Sequence, residues 1–199
     1  NPTIAALERA VAEIEHGAAA IATASGMGAV SVIYMALLGQ GLHIVSTDSV
    51  YGPSRVMVEK HLSRFGVRHD YVDTSDLDLV RRVMRPETKL VFVESPSNPA
   101  MRVTDLAAVA EIAHERGALL VVDNTFASPH LQNPIDFGAD IVFHSVTKFI
   151  NGHADVVGGI IVSKTVEIDR RLRPVMINFG PNMDPHQAFL VHRGLKTLA

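Results

Sequence analysis

The stretch Ile141-Val142-Phe143-His144-Ser145-Val146-Thr147-Lys148 joins a short apolar run to a group of polar and basic side chains. A second apolar run, Leu119-Leu120-Val121-Val122, ends in the same way at Asp123. Short apolar runs bounded by turn residues are typical of buried strands in a parallel sheet. The carboxyl ends of parallel strands meet at one edge of the sheet, where ligand sites lie. We therefore expect Asp123 to lie near the polar residues of Ser145–Lys148.

These residue types suit one kind of cofactor. An acid can pair with a basic ring nitrogen, a lysine amine can react with an aldehyde, and hydroxyl groups can hold a phosphate. Pyridoxal 5′-phosphate (PLP) carries all three groups. The spacing thus predicts a PLP site that contains Asp123, Ser145, Thr147 and Lys148.

Composition narrows the possible classes of protein. The chain has 199 residues, of which 47% are hydrophobic and 20% charged, so it can bury a large core and is not a disordered sequence. Its formal net charge of −3, with no stripe of lysine and arginine, argues against a nucleic-acid partner. It contains no cysteine, which excludes disulfides and thiolate metal sites and fits the reducing cytoplasm.

One long uncharged segment, residues 17–42, superficially resembles a membrane span. Glycines, serines and Gln40 interrupt it, and alanine outnumbers leucine and isoleucine, so we predict a buried loop and helix instead. No basic-then-apolar leader follows Asn1. We therefore expect a cytoplasmic protein with no membrane partner.

Strand-like and helix-like patterns alternate along the chain, which indicates an α/β fold with a mostly parallel sheet and flanking helices. Thr3 and Thr104 are predicted to cap helices, and Val56, Val58 and Leu62 to be buried. The predicted strands are 43–46, 67–72, 89–93, 119–123, 141–144 and 156–162. The predicted helices begin at or near residues 3, 30, 51, 77, 106, 168 and 184. The helix that begins at residue 51 is predicted to end at residue 64, and the helix that begins at residue 168 is predicted to end at residue 172.

Three further stretches carry polar groups or glycines near predicted strand ends. Ser25–Gly28 precedes a helix and is either a phosphate cradle or a helix-packing turn. Tyr51 follows a strand and is either a site residue or a structural turn tyrosine. Two prolines fix the loop from Glu94 to Pro99, which holds Asn98 in a defined place.

Together these stretches resemble the cysteine/methionine-metabolism family of PLP-dependent enzymes, which includes cystathionine synthases and lyases, methionine γ-lyase and homoserine sulfhydrylases. The resemblance covers essentially the whole chain and implies fold type I. The motifs that carry it are Ser25-Gly26-Met27, Tyr51-Gly52, Glu94-Ser95-Pro96-Ser97-Asn98-Pro99, Asp123-Asn124-Thr125-Phe126, Ser145-Val146-Thr147-Lys148 and Arg193-Gly194-Leu195-Lys196-Thr197-Leu198.

The resemblance also implies roles for the site residues. Lys148 would form the Schiff base, and Asp123 would pair with the pyridine nitrogen. Tyr51 would stack on the ring and assist proton transfer, and Asn98 would contact the ring hydroxyl. Glu94 would support its loop. The residues implied to hold the phosphate end of the cofactor are Ser25, Gly26, Met27, Ser145 and Thr147.

Some features of the family lie outside this sequence. The family takes a Tyr-x-Arg arm from a neighbouring subunit and has a smaller C-terminal domain, and neither matches residues here. We therefore expect residues 1–199 to be the PLP-binding large domain of a longer protein, working as a homodimer or homotetramer with a shared active site. Pro53 stands where methionine γ-lyases usually carry a cysteine.

The implied activity is that of a carbon–sulfur lyase, which forms a thiol, ammonia and a 2-oxo acid from a sulfur amino acid by γ-elimination. Two alternatives stay open: a γ-replacement enzyme that acts on an activated homoserine, and a catalytically incomplete PLP-binding fragment. The ten histidines show no paired spacing typical of zinc ligands, so no metal site is predicted. His144 either lies behind the cofactor or serves packing, and packing is the preferred interpretation.

Overall fold

The structure is a computed structural model, and it describes residues 1–198. A seven-stranded sheet has the order β1-β7-β6-β5-β4-β2-β3, and β7 alone runs antiparallel to its neighbours. This confirms the predicted α/β class with a mostly parallel sheet. The strands are β1 Ala19–Thr23, β2 His43–Thr47, β3 Arg68–Val72, β4 Thr88–Glu94, β5 Leu119–Asp123, β6 Ile141–His144 and β7 Gly159–Ser163.

Helices flank the sheet. Over the described residues, no helix is both long enough and apolar enough to cross a membrane. The α-helices are α1 Pro2–Ile14, α2 Gly26–Leu37, α3 Gly52–Val56, α4 Leu77–Val83, α5 Leu106–Glu115, α6 Ser128–Leu131, α7 Val166–Phe179 and α8 Pro185–Gly194. A π-helical turn spans Met57–His61, and 3₁₀ turns span Leu62–Phe65, Pro134–Phe137 and Leu195–Thr197.

The sheet is buried on both faces, which explains its unbroken apolar strands. Along β4, Val91 and Val93 belong to the core that also contains residues of α1, α5 and α8. Leu90 and Phe92, at the alternate positions of the strand, belong to the core formed with α2 and α7. Because successive side chains of a strand point to opposite faces, one short run serves two cores.

Both predicted threonine caps are wrong by a residue or two. Helix α1 is capped by Asn1, whose side chain accepts a hydrogen bond from the N–H of Thr3. Helix α5 is capped by Asp105, which accepts from Ala108. Thr104 is buried instead and its hydroxyl lies 2.8 Å from that of Thr74. Asparagine and aspartate cap slightly better than threonine, so where both are near a helix start they are the better prediction.

Strand β1 lies within residues 17–42, for which the sequence predicts a loop and a helix. Its sequence Ala-Ala-Ile-Ala-Thr has low intrinsic preference for a strand. Pairing with β7 decides its conformation, from Ala19 opposite Ser163 to Thr23 opposite Gly159.

The predicted strand 156–162 begins too early. At Gly159, where β7 begins, a Cβ would lie 2.4 Å from the carbonyl oxygen of Ser25.

Two helix predictions also need correction. Residues 51–64 do not form one helix but α3, the π-helical turn and a 3₁₀ turn, and Val56 is 40% exposed although it was predicted to be buried. Val58 and Leu62 are buried as predicted. The short helix predicted at 168–172 is α7, which extends through Pro174 to Phe179. The proline discourages a longer prediction because it removes a backbone donor, and packing against α2 and β1 holds the helix together.

Candidate active site

A cavity of about 600 Å³ lies at the carboxyl ends of β4, β5 and β6, beside the N-terminus of α2. All the site residues expected from the sequence line it, although they come from separate parts of the chain. They are Ser25, Gly26, Met27, Tyr51, Asn98, Asp123, Ser145, Thr147 and Lys148. The predicted proximity of Asp123 to the turn after β6 is therefore observed.

Asp123 is buried, with 7% of its surface exposed. Its Oδ1 accepts hydrogen bonds from the N–H of Thr125, at 3.0 Å, and from the Thr125 hydroxyl. Burial raises the pKa of Asp123, and the bonds from Thr125 oppose that rise. Within residues 1–198 no ion pair includes this carboxylate. A buried acid of this kind favours a cationic partner in the cavity, and a protonated ring nitrogen supplies one.

The N-terminus of α2 forms the second part of the site. Ser25 caps the helix: its Oγ accepts from Gly28 at 3.0 Å, and its carbonyl oxygen accepts from Ala29 at 3.1 Å. Among the described residues, the N–H groups of Gly26 and Met27 donate to no acceptor. A Cβ on Gly26 would lie 3.1 Å from the Cβ of Ser145. Free N–H groups at a helix N-terminus, with a hydroxyl alongside, fit a phosphate.

The turn after β6 is anchored to neighbouring loops. The N–H of Ser145 donates to the Thr125 hydroxyl at 2.9 Å, and the N–H of Lys148 donates to the Ser145 carbonyl at 3.1 Å. Gly158 donates to the Thr147 hydroxyl at 3.0 Å. The Lys148 side chain is exposed, and within residues 1–198 it pairs with no carboxylate. The backbone fixes the turn and leaves the amine available.

Tyr51 and Asn98 form the exposed rim of the cavity, and Glu94 supports both. One carboxylate oxygen of Glu94 accepts from the N–H of Tyr51 at 2.8 Å, and the other accepts from the N–H of Asn98 at 3.0 Å. Burial raises the pKa of Glu94 to about 7, and the negative charge of Asp123 adds to the rise. The expectation that Glu94 supports its loop is therefore correct, and it supports the Tyr51 loop as well.

Some residues around the cavity were missed at the level of sequence. Thr125 holds Asp123 and Ser145, and the Asp-x-Thr pattern, in which an aspartate binds a backbone N–H two residues later, could have identified it. Phe126 and Phe149 line the mouth with ring centroids 6.0 Å apart. No local pattern distinguishes them from core aromatic residues.

His144 lies outside the cavity. It is buried behind the end of β6, and its Nε2 is hydrogen-bonded to the buried carboxylate of Glu15. Glu15 also accepts from the side chain of Asn124 at 2.9 Å. These contacts tie α1 to the ends of β5 and β6, so His144 has the packing role that was expected, with a hydrogen-bonded partner.

A second polar cluster lies at the opposite edge of the sheet. Asp70, His43 and Thr88 are hydrogen-bonded in the order found in catalytic triads, with distances of 3.1 Å and 2.8 Å. Thr88 has no exposed surface, so no substrate can reach its hydroxyl. The cluster joins β2, β3 and β4. Within residues 1–198, no group of three or more His, Asp or Glu side chains is arranged to hold a metal ion.

Comparisons with known proteins agree with this geometry. The family model described as Cys/Met metabolism PLP-dependent enzyme matches residues 1–199. The chain is 44% identical over 198 residues to a cystathionine gamma-lyase of Bacillus subtilis, covering all of this chain and 52% of the relative. It is also 44% identical over 198 residues to a cystathionine gamma-synthase of Mycobacterium bovis, covering all of this chain and 51% of that relative.

The fold is also shared with solved structures. The crystal structure of metB from Corynebacterium glutamicum matches with a TM-score of 0.98 and 43% identity, covering all of this chain and 51% of that one. The chain thus spans about half the length of the relatives that it matches. The family model covers every residue, and the site contains the residues expected of its cofactor. The chain belongs to the family of Cys/Met metabolism PLP-dependent enzymes.

Proposed function

We propose that this chain is the PLP-binding large domain of a carbon–sulfur lyase that acts on sulfur amino acids by γ-elimination. The observation that carries the proposal is a single cavity in which a lysine, a buried acid and the N-terminus of α2 come together. These three groups match the aldehyde, ring nitrogen and phosphate of the cofactor. When bound, the cofactor supplies an electron sink next to the α-carbon of the substrate.

Each residue that lines the cavity would have its own role in binding the cofactor or in moving a proton. Lys148 would hold the cofactor and then accept the α-proton of the substrate at Nζ. Asp123 would keep the ring nitrogen protonated, because its buried carboxylate is stabilised by a cation. Tyr51 would cover the ring and hold the proton that the departing sulfur needs, and Asn98 would contact the ring hydroxyl. The phosphate would be held by Ser25, Gly26, Met27, Ser145 and Thr147.

A second candidate activity is γ-replacement, in which a thiol takes the place of the acyloxy group of an O-acyl-homoserine, which leaves as a carboxylate. The equal identity to a γ-lyase and a γ-synthase supports it as a competitor, since both would use the same cavity. The two activities differ in their need for a second substrate. A lyase releases a 2-oxo acid from cystathionine or methionine without an added thiol, whereas a replacement enzyme consumes the thiol and forms a thioether.

A third candidate is a PLP-binding fragment without activity, since the chain spans about half the length of its relatives. We also propose that the whole protein is a homodimer or homotetramer whose subunits share active sites. The exposed positions of Tyr51 and Lys148 support this, because a second subunit can reach both residues. The absence of cysteine supports a place in the reducing cytoplasm.

The first test is the binding of PLP. We expect purified protein to develop a visible absorption band with PLP and, after borohydride reduction and peptide mapping, to carry the label on Lys148. K148R retains the positive charge but should not be labelled at this position, and K164R, a change in the turn after β7, is the matched control. A label spread over surface lysines would overturn the proposal. Assays with cystathionine and O-acyl-homoserine, with and without thiol, then separate the two activities.

A further inference from the structure

Two buried carboxylates face the same cavity from adjacent strands. Glu94 ends β4 and Asp123 ends β5, and the two residues are direct partners in the register of this parallel pair. Glu94 is 4% exposed and Asp123 is 7% exposed. Residues at the same register on neighbouring strands point to the same face of the sheet. Two acids so placed cannot both ionise easily unless a cation lies between or beside them.

The Glu94 carboxylate uses both of its oxygens. Oε2 accepts from Tyr51 and Oε1 accepts from Asn98, so one side chain links the loop after β2 to the loop after β4. A carboxylate can accept both bonds, whereas a protonated acid offers its hydroxyl oxygen as a much poorer acceptor. Protonation of Glu94 would therefore weaken the hold on one rim residue.

The surroundings of Glu94 contain few charges. Asp123 faces it from β5, and Lys148 and the Tyr51 phenol line the same cavity. Outside the cavity, Arg102 already pairs with Asp48 and Asp73. Burial raises the pKa of Glu94 to about 7, so near neutral pH this carboxyl group holds a proton for part of the time.

We propose that Glu94 is a proton-linked positioning residue: cofactor binding drives its proton into solvent, and the resulting carboxylate holds Tyr51 and Asn98 against the ring. This inference rests on the proposed function and deepens it. The cationic ring nitrogen held by Asp123 stabilises a second nearby carboxylate. Cofactor loading and the hold of Glu94 on the two rim residues are thereby linked through a single proton.

The test is the number of protons released when PLP binds, measured by calorimetry in buffers with different ionisation enthalpies. Near pH 7 we expect wild-type protein to release about half a proton more per site than E94Q. At about pH 9 the difference should vanish, because Glu94 is then already ionised. We also expect E94Q to bind PLP roughly tenfold more weakly, because its amide nitrogen opposes a backbone N–H. E13Q, at an exposed position of α1, is the matched control.

The possible failures are distinguishable. If wild-type protein takes up no PLP on Lys148, the proposed function fails and this inference fails with it. If wild-type protein and E94Q both load at Lys148 and release equal numbers of protons near neutral pH, the proposed function stands and the inference is overturned. If E94Q does not fold, an NMR titration of wild-type protein with ¹³C-labelled carboxyl groups tests the inference instead. One glutamate should titrate near neutral pH without cofactor and at lower pH with it, and the absence of such a signal would overturn the inference.

Discussion

At the scale of single residues, Asp123 is the group whose environment most constrains its chemistry. It is buried, it is held by both the N–H and the hydroxyl of Thr125, and burial raises its pKa. Such a group is poorly stable as a lone anion and well suited to a cationic partner. Its role can therefore be tested by removing the charge while keeping the shape.

We expect D123N to lower kcat/KM by about 30- to 150-fold, because a charged hydrogen bond in a buried site contributes on the order of 2–3 kcal/mol. Lys148 should still be labelled by PLP and borohydride, since the substitution does not touch the amine. The matched control is D105N, which changes the exposed cap of α5 to another good cap. Activity within a fewfold of wild type in D123N would contradict the proposed pairing with the ring nitrogen.

Sequence reasoning was strongest for single residues at strand ends. Asp123 and Lys148 could be placed together because Asp123 directly follows one buried apolar run and Lys148 lies in the turn after another, and that arrangement depends only on strand direction. The hydrogen bonds of Thr125 to Asp123 and Ser145, and the two hydrogen bonds that Glu94 accepts, could not be predicted in this way. They depend on loop conformations, which the sequence specifies only through long-range contacts.

At the scale of secondary-structure elements, the start of β2 is joined to its neighbours by buried His43. The Nδ1 atom lies 2.8 Å from the Thr88 hydroxyl on β4, and Nε2 lies 3.1 Å from Asp70 on β3. Arg85 also binds Asp70, at 2.6 Å. Burial lowers the pKa of His43, and the positive charge of Arg85 lowers it further, while Asp70 acts in the opposite direction.

This arrangement predicts a pH-dependent stability. Because the pKa of His43 is lower in the folded than in the unfolded chain, its neutral form is favoured by folding. The contribution is complete above the unfolded pKa of about 6.5 and is lost as the pH falls below it. We expect the unfolding free energy, from urea titrations, to fall more steeply from about pH 7 to about pH 5 in wild-type protein than in H43Q.

H130Q changes an exposed histidine of α6 and serves as the control, with a slope equal to that of the wild type. If H43Q and wild type lose stability in parallel over this range, the histidine contributes nothing to the pH dependence. This outcome would leave the hydrogen bonds as purely structural contacts.

The elements that could be predicted share a physical cause, and so do those that could not. Strands β4, β5 and β6 are rich in β-branched residues and are buried on both faces, so their sequences are unambiguous. Strand β1 consists of three alanines, one isoleucine and one threonine, a sequence that fits a helix as well as a strand until it pairs with β7. The π-helical turn at Met57–His61 leaves no periodic pattern that distinguishes it from an ordinary helix.

At the scale of the whole molecule, apolar surface lies close to the cavity. A groove of about 550 Å³ lies between the N-terminal part of α2 and α3, and it is lined mostly by apolar atoms of Met27, Gly52, Pro53, Val56, Met57 and His61. Tyr51 is 54% exposed and Val56 is 40% exposed beside it. Apolar patches of this kind, next to a functional cavity, are typical of interfaces. They support the proposed sharing of active sites between subunits.

We therefore expect the chain to self-associate through this groove, and V56E to weaken the association. A carboxylate placed in an apolar contact costs several kcal/mol, so the dimer dissociation constant should rise at least about tenfold. Sedimentation velocity over a range of concentrations measures it. V166E is the matched control, because Val166 is also exposed, at 43%, but begins α7 after β7 at the opposite edge of the sheet. An equal weakening by both variants would show that added charge alone disperses the protein, and no effect of V56E would place the contact on another face.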